Sequence, residues 1–209
     1  VTAAPTSITA GAGTSTITVT ARDANGNPVA GATVVLAASG SGNTLTQPAG
    51  PTNASGVATG TLSSTAAEAK TVSATINSVA ITQTATVTVT AGTVSASQST
   101  VTAAPTSITA GTGTSTITVT AKDQFGNPIA GATIVLAATG NGNTLTQPAG
   151  TTNASGVATG SLSSTAAEGK TVSATINSVA ITQTATVTVT AGAVNAAQST
   201  VTAAPTSIT

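Results

Sequence analysis

Apolar and polar side chains alternate in short blocks along the first hundred residues of the chain. In Thr16-Ile17-Thr18-Val19-Thr20-Ala21, the apolar members Ile17, Val19 and Ala21 fall at every second position. Successive side chains of an extended chain point to opposite faces, so this block predicts a half-buried strand. Asp23-Ala24-Asn25-Gly26-Asn27-Pro28 ends it as a turn, because Gly26 tolerates positive φ and Pro28 cannot continue a ladder. A second strand is predicted over residues 32–37. After the Gly-rich loop at 39–43, a short or bulged edge strand is predicted over 44–46. Pro48 to Pro51 and the turn Thr52-Asn53-Ala54-Ser55-Gly56 precede a strand over 57–62. Residues 65–70 cross over, and 71–76 alternate with Val72, Ala74 and Ile76 inward. Asn77-Ser78 then turns the chain into one long last strand, residues 79–91. There Ile81, Ala85, Val87 and Val89 point in, and Thr82, Thr84, Thr86, Thr88 and Thr90 point out.

About seven short strands with turn signals every 8–12 residues are the pattern of an immunoglobulin-like sandwich. No helical period competes with it. The expected core is small and aliphatic: Ile17, Val19, Val34, Leu36, Leu45, Val57, Leu62, Val72, Ile76, Ile81, Val87 and Val89. Each such side chain contributes about 1.5–3 kcal/mol when fully buried.

The pattern occurs twice. Residues 101–200 repeat residues 1–100 with 14 differences, most of them conservative, such as Val29 against Ile129 and Arg22 against Lys122. A period of 100 residues is a domain length rather than a solenoid unit. The expected fold class is therefore all-β, with tandem immunoglobulin-like β-sandwiches arranged end to end. The expected division is a first repeat at 1–92, a short linker at 93–100, and a second repeat at 101–192. Residues 193–209 are read as a linker and the first strand of a further copy, as in a segment of a longer array. Val94 and Val101 are expected to seat the linker against both domains, giving restricted motion and a span of roughly 70–90 Å at about 3.3 Å per strand residue.

Composition removes most functional classes. Charged residues make up 4% of the chain, the net charge is zero, and there is no His, Cys, Met, Trp or Tyr. Without a basic patch nothing neutralises phosphates, so no nucleic-acid partner is expected. No apolar run approaches the roughly 20 residues of a membrane helix, so no membrane insertion is expected. The only carboxylates are Asp23, Glu68, Asp123 and Glu168. One Asp and one Glu per repeat, in different loops, are a poor basis for acid–base catalysis. No enzyme activity, catalytic residue or cofactor is expected. Asp23 and Asp123 are weak calcium candidates, because calcium takes 6–8 oxygen ligands and usually several carboxylates. Their expected role is structural, closing the turns Asp23, Gly26, Asn27, Pro28 and Asp123, Gly126, Asn127, Pro128.

Four further features carry weaker readings. Lys70, Asn77 and Glu68 supply the residue types of a Lys–Asn isopeptide crosslink, against an expectation of a solvated Glu–Lys pair. Phe125, the only aromatic residue, sits at a turn tip and is expected to make a small apolar contact onto the linker. Asn53-Ala54-Ser55 and Asn153-Ala154-Ser155 match the N-glycosylation acceptor pattern but read as ordinary turns. The outward Thr rows could order water, although a twisted sheet is a poor ice template.

Several of these residues together resemble a known family. The stretch 16–23, then Gly26-Asn27-Pro28-Val29-Ala30-Gly31-Ala32, then Thr52 to Ala58, is similar to the bacterial Ig-like group 1 domain, the repeat of invasin- and intimin-type surface proteins. The most specific block is D-x-x-G-N-P-(V/I)-x-G. It is complete in both copies: Asp23, Gly26, Asn27, Pro28, Val29, Gly31 and Asp123, Gly126, Asn127, Pro128, Ile129, Gly131. The resemblance implies spacer or stalk repeats of an extracellular adhesin on the bacterial cell surface, projecting a distal binding domain. It implies neighbouring repeats of the same chain as partners, with host or surface receptors met only through domains outside this segment. The alternative is a self-assembling extracellular filament or sheath subunit, in which like chains exchange strands between repeats. A carbohydrate-binding module would need aromatic platforms that the chain lacks.

Overall fold

The computed structural model describes residues 1–202 and 204. Each copy folds as two packed sheets with no helix among the described residues. In the first copy one sheet has the order β1 (Thr2–Ala4), β3 (Ser15–Thr20), β6 (Val57–Ser64) and β5 (Asn43–Thr46). The other has the order β2 (Ser7–Thr9), β9 (Ala85–Thr90), β7 (Ala69–Ile76) and β4 (Val34–Ala38), with β8 (Val79–Ala80) beside β7. All pairings are antiparallel except β2 with β9, which run parallel with Ile8 opposite Val89. This is the immunoglobulin-type sandwich, with the first strand divided between the two sheets.

The second copy repeats the plan with β10 (Thr100–Ala104), β11 (Ser107–Thr109), β12 (Thr114–Thr120), β13 (Ile134–Ala138) and β14 (Asn143–Thr146), followed by β15 (Val157–Ser164), β16 (Gly169–Ile176), β17 (Val179–Ala180) and β18 (Ala185–Thr190). Its first strand, β10, pairs with its own β12, as β1 pairs with β3. Of the copied segment 201–209, residues 203 and 205–209 lie outside the described residues.

The alternation sets the core. In β3, Ser15, Ile17 and Val19 are buried, while Thr16 and Thr20 are exposed. β9 reads buried–exposed throughout, with Ala85, Val87 and Val89 inside. The core also takes Ile8, Ala10 and Ala58, which the alternation had not marked, and Ala74, which it had placed inward. Leu45, Ile76 and Ile81 sit at the margin, half-buried against it, and Val57 is half-buried. Sheets approach closely because small residues line them. A Cβ on Gly60 would lie 2.4 Å from the Thr46 carbonyl oxygen and 2.6 Å from Leu36 Cδ1.

Three expectations change. The long last strand is two strands, because the chain leaves the ladder at residues 81–84 between β8 and β9. Lys70 is not solvated: it lies on the inward face of β7, its side chain fully buried. Val94 and Val101 do not divide between the domains; both pack against the core of the second copy.

Strand directions fix which loops share an end. The β2–β3 loop, the β6–β7 loop and the exit from β9 lie together, because Ala10 N donates to Thr90 O and Gly11 N donates to Ser64 O. The β3–β4 turn lies at the opposite end. The first copy's exit end therefore faces the second copy's β12–β13 turn.

Candidate functional site

The Asp-x-x-Gly-Asn-Pro turn is built by one carboxylate. Asp23 Oδ1 accepts the N–H groups of Asn25 at 2.9 Å and Asn27 at 2.8 Å. Its Oδ2 accepts Asn27 Nδ2 at 2.9 Å. Gly26 closes the turn with φ 85°, a conformation that favours glycine. The side-chain amide of Asn27, then its backbone N–H, holds the Asp23 carboxyl below the usual carboxylate range. In the first copy this turn faces solvent, with residues 22–28 all exposed.

In the second copy the same turn is docked on the first copy. Asp123 Oδ1 accepts Phe125 N and Asn127 N, each at 2.9 Å. Its Oδ2 accepts Asn127 Nδ2 at 2.7 Å and Gly92 N at 2.9 Å. Asn127 then reaches across: Oδ1 accepts Ala67 N at 2.9 Å, and Nδ2 donates to Thr65 O at 2.8 Å. Every hydrogen and the oxygen of the Asn127 amide are thus used. Asp123 is 0% exposed, whereas Asp23 is exposed. Burial works to raise the Asp123 carboxyl, but the donations from Asn127, Gly92 and Phe125 outweigh it and hold the group below its ordinary value.

Phe125 lies beside these bonds. It packs on Gly11, where a Cβ would sit 2.2 Å from the ring. This contact is with the β2–β3 loop of the first copy. One turn therefore grips the β2–β3 loop, the β6–β7 loop and the exit from β9. The following segment packs the other way, onto the second copy. Ser95 N donates to Lys122 O at 2.8 Å, Lys122 N donates to the buried Ser99 Oγ at 3.0 Å, and Thr182 N donates to Ala96 O at 3.0 Å. The result is a two-sided joint with no free length of chain between its halves.

The other candidates fall apart or change character. With four N–H groups on it, Asp123 offers a cation little lone-pair density, and no cluster of three metal-ligating side chains occurs among the described residues. Lys70 Nζ donates to Ser41 O and Glu68 Oε1, each at 2.5 Å, pinning the 39–42 loop to β7; Lys170 makes the same contacts to Asn141 O and Glu168. The Lys70 ammonium, followed by Ser41 N, holds the half-exposed Glu68 carboxyl below its ordinary value. Asn77 stands seven residues further along and past the end of β7, about 23 Å away at 3.3 Å per residue, with Oδ1 accepting Thr33 N. The structure does not bring the isopeptide residue types together. Asn53 Oδ1 accepts Ser55 N and Val57 N, so Asn53 and Asn153 close turns of their own. No helix among the described residues is long and apolar enough to cross a membrane.

Fold and joint define a class, the tandem immunoglobulin-like domains of bacterial adhesins. The chain belongs to the family described as Invasin, domain 3, which matches residues 1–92 and 95–192. It is similar to InvD of Yersinia pseudotuberculosis, at 31% identity and a TM-score of 0.70, covering 95% of this chain and 59% of that one. It is also similar to FdeC, an Escherichia coli adhesin, at 30% identity and a TM-score of 0.73, covering 92% of this chain and 63% of that one. The chain thus spans about three fifths of the length of these solved structures. No curated protein matches it.

Proposed function

We propose that this chain is a pair of spacer repeats in the stalk of a bacterial cell-surface adhesin. In this reading residues 1–92 and 101–192 are the rigid units, and residues 93–100 with the Asp123–Pro128 turn are the coupling between them. The units carry no catalysis and need no cofactor. They transmit length and direction to binding domains elsewhere in the parent protein, which alone meet a receptor. The array is extracellular.

One observation supports the reading above the others. The second copy's turn engages the first copy through three hydrogen bonds and an aromatic contact on three separate loops. A net contribution of about 0.5–1.5 kcal/mol per bond makes such a joint worth a few kcal/mol once the linker has already brought the halves together. That is enough to hold one orientation most of the time. The likeness to the adhesin FdeC and the membership of the invasin family support the surface location.

Small-angle scattering of the two-repeat chain tests it. An extended particle with a single inter-repeat orientation is expected, and Asn127→Ala should broaden the distribution of orientations with both sandwiches still folded. A compact, folded-back pair in the unsubstituted chain would end the spacer reading.

A further inference from the structure

The outer edge of β4 is held shut by side chains. Asn77 N donates to Thr33 O and Ser39 N donates to Thr71 O, so the odd-numbered residues bond toward β7. Val34, Leu36 and Ala38 therefore turn their N–H and C=O groups outward. Gln47 meets the middle one: Oε1 accepts Leu36 N at 2.7 Å and Nε2 donates to Leu36 O at 2.9 Å. One amide fills both sites that the peptide of a neighbouring strand would fill. Thr52 does the same for Ala32, with Oγ1 accepting Ala32 N and Thr52 N donating to Ala32 O, each at 2.9 Å. Between these two clasps, Pro48-Ala49-Gly50-Pro51 runs beside β4, and its prolines have no N–H to pair with a strand. The second copy repeats the device, with Gln147 on Leu136 and Thr152 on Ala132 at 2.7–3.0 Å.

The clasp covers a strand suited to pairing with itself. Val34-Val35-Leu36-Ala37-Ala38 is apolar throughout, as is its counterpart at 134–138, with no charge, Pro or Gly. That composition favours pairing between chains. Val35 and Val135 add apolar surface on the outer face, 53% and 55% exposed. Sheet edges are commonly kept apart by charge, above all by Lys. Here 4% of the residues are charged and the net charge is zero, so charge supplies little of that protection.

We propose that the β4 edge is a pairing surface for the same edge of another molecule of this chain, and that Gln47 and Gln147 keep it closed. Two such edges fit antiparallel about a two-fold axis at Leu36. The two Leu36 residues then exchange both of their hydrogen bonds, and Val34 faces Ala38 on either side. The bonds at Leu36 are the ones the Gln47 amide takes. No strand leaves its own sheet, and the joint between the copies plays no part. The proposal goes beyond the spacer reading: it says what keeps nearly uncharged repeats separate when they stand side by side.

The test is the full chain with Gln47→Ala and Gln147→Ala. Both glutamines are exposed, so the change opens the edge without leaving a cavity in the core. In dilute solution the Leu36 and Leu136 amides should exchange with solvent about 2–10-fold faster, with Val72 and Val172 unchanged. Between about 0.01 and 1 mM, light scattering should show association in the variant and a monomer in the unsubstituted chain. Two edges per molecule carry that association past the dimer. Adding Val35→Lys and Val135→Lys should restore the monomer, because like charges then meet on one face of the pair. Association that survives the lysines arises elsewhere and overturns the proposal. Equal association in the variant and the unsubstituted chain, or none in either, does the same. The spacer reading is judged separately, by scattering from the unsubstituted chain.

Discussion

At the scale of single residues, Asn127 is the part that distinguishes a turn from a joint. Its amide closes the turn on Asp123 and bridges to two loops of the other copy with the same group. Asn127→Ala should therefore free the repeats from one another, while Asn27→Ala should leave their relative orientation unchanged. Residual dipolar couplings of the two variants separate these outcomes. Gly11 offers a second contrast. Gly11→Ala meets both a left-handed backbone and the Phe125 ring, whereas Gly111→Ala meets the backbone alone. Backbone strain of about 1 kcal/mol or more is common to both; only Gly11→Ala should also loosen the joint. Phe125→Asn, which restores the first copy's residue, should loosen it without strain. The sequence placed Asp123, Gly126, Asn127 and Pro128 in a turn, and that local structure follows from side-chain and backbone chemistry within six residues. Their docking did not follow, because the partners Ala67 and Gly92 contribute backbone N–H groups that carry no residue signature. One signal was present: half of the 14 differences between the copies fall at positions 22–29 and 93–97, the two segments that meet at the joint.

At the scale of elements, period-two alternation located β3, β4, β6, β7 and β9, since burial on one face is what the period records. It misread the end of the chain's last strand pair for a physical reason. Residues 81–84 read Ile-Thr-Gln-Thr, so Gln83 breaks the alternation where the chain loses its ladder partners; the regular pattern on either side carried the strand across the break, because pattern reports burial rather than pairing. The same limit hid Lys70. A lysine at the end of a crossover, as 65–70 reads, looks like a solvated residue, yet Lys70 belongs to β7 and its Nζ finds Ser41 O and Glu68 at the edge of the core. Lys70→Ala removes a fully buried stem as well as the latch, so a loss of about 2–5 kcal/mol is expected, similar to other large-to-small core changes. Thermal melting of the first copy's transition checks it. Gly60→Ala tests the close approach of β5 and β6: with Thr46 O and Leu36 Cδ1 in the way, overpacking should cost about 1–3 kcal/mol. For a domain of this size each kcal/mol lowers the midpoint by about 4–8 °C. A melt unchanged within 2 °C, on the order of a third of a kcal/mol, would show that the strands separate freely enough to admit the methyl group.

At the scale of the whole molecule, one of the bonds that join the two copies ends on a buried carboxylate, so the stiffness of the pair should respond to its ionisation. Asp123 is held below its ordinary value of 3.8 in the folded joint. A group with a depressed folded pKa stabilises the folded arrangement fully above its unfolded value and loses that contribution as pH falls through the folded one. The undocked turn also lowers its carboxylate, as Asp23 shows, so the pH dependence of the joint itself rests on the one donation that docking adds, from Gly92 N; acid that protonates Asp123 should weaken that donation and loosen the joint. Glu68 and Glu168 are depressed in the same direction, so acid also slackens the Lys latches inside each sandwich. The two effects separate in Asp123→Asn at neutral pH. An asparagine there keeps one acceptor for the Phe125 and Asn127 amides, but it turns an N–H₂ group toward either the Gly92 N–H or the Asn127 amide. Donor then faces donor, and the grip on the first copy is lost with the latches untouched. Scattering from Asp123→Asn at neutral pH should match that of the unsubstituted chain in acid, with strand content by circular dichroism unchanged in both. A variant that stays extended and rigid would show that Asn127 and Phe125 suffice, and that the buried charge serves the turn rather than the joint.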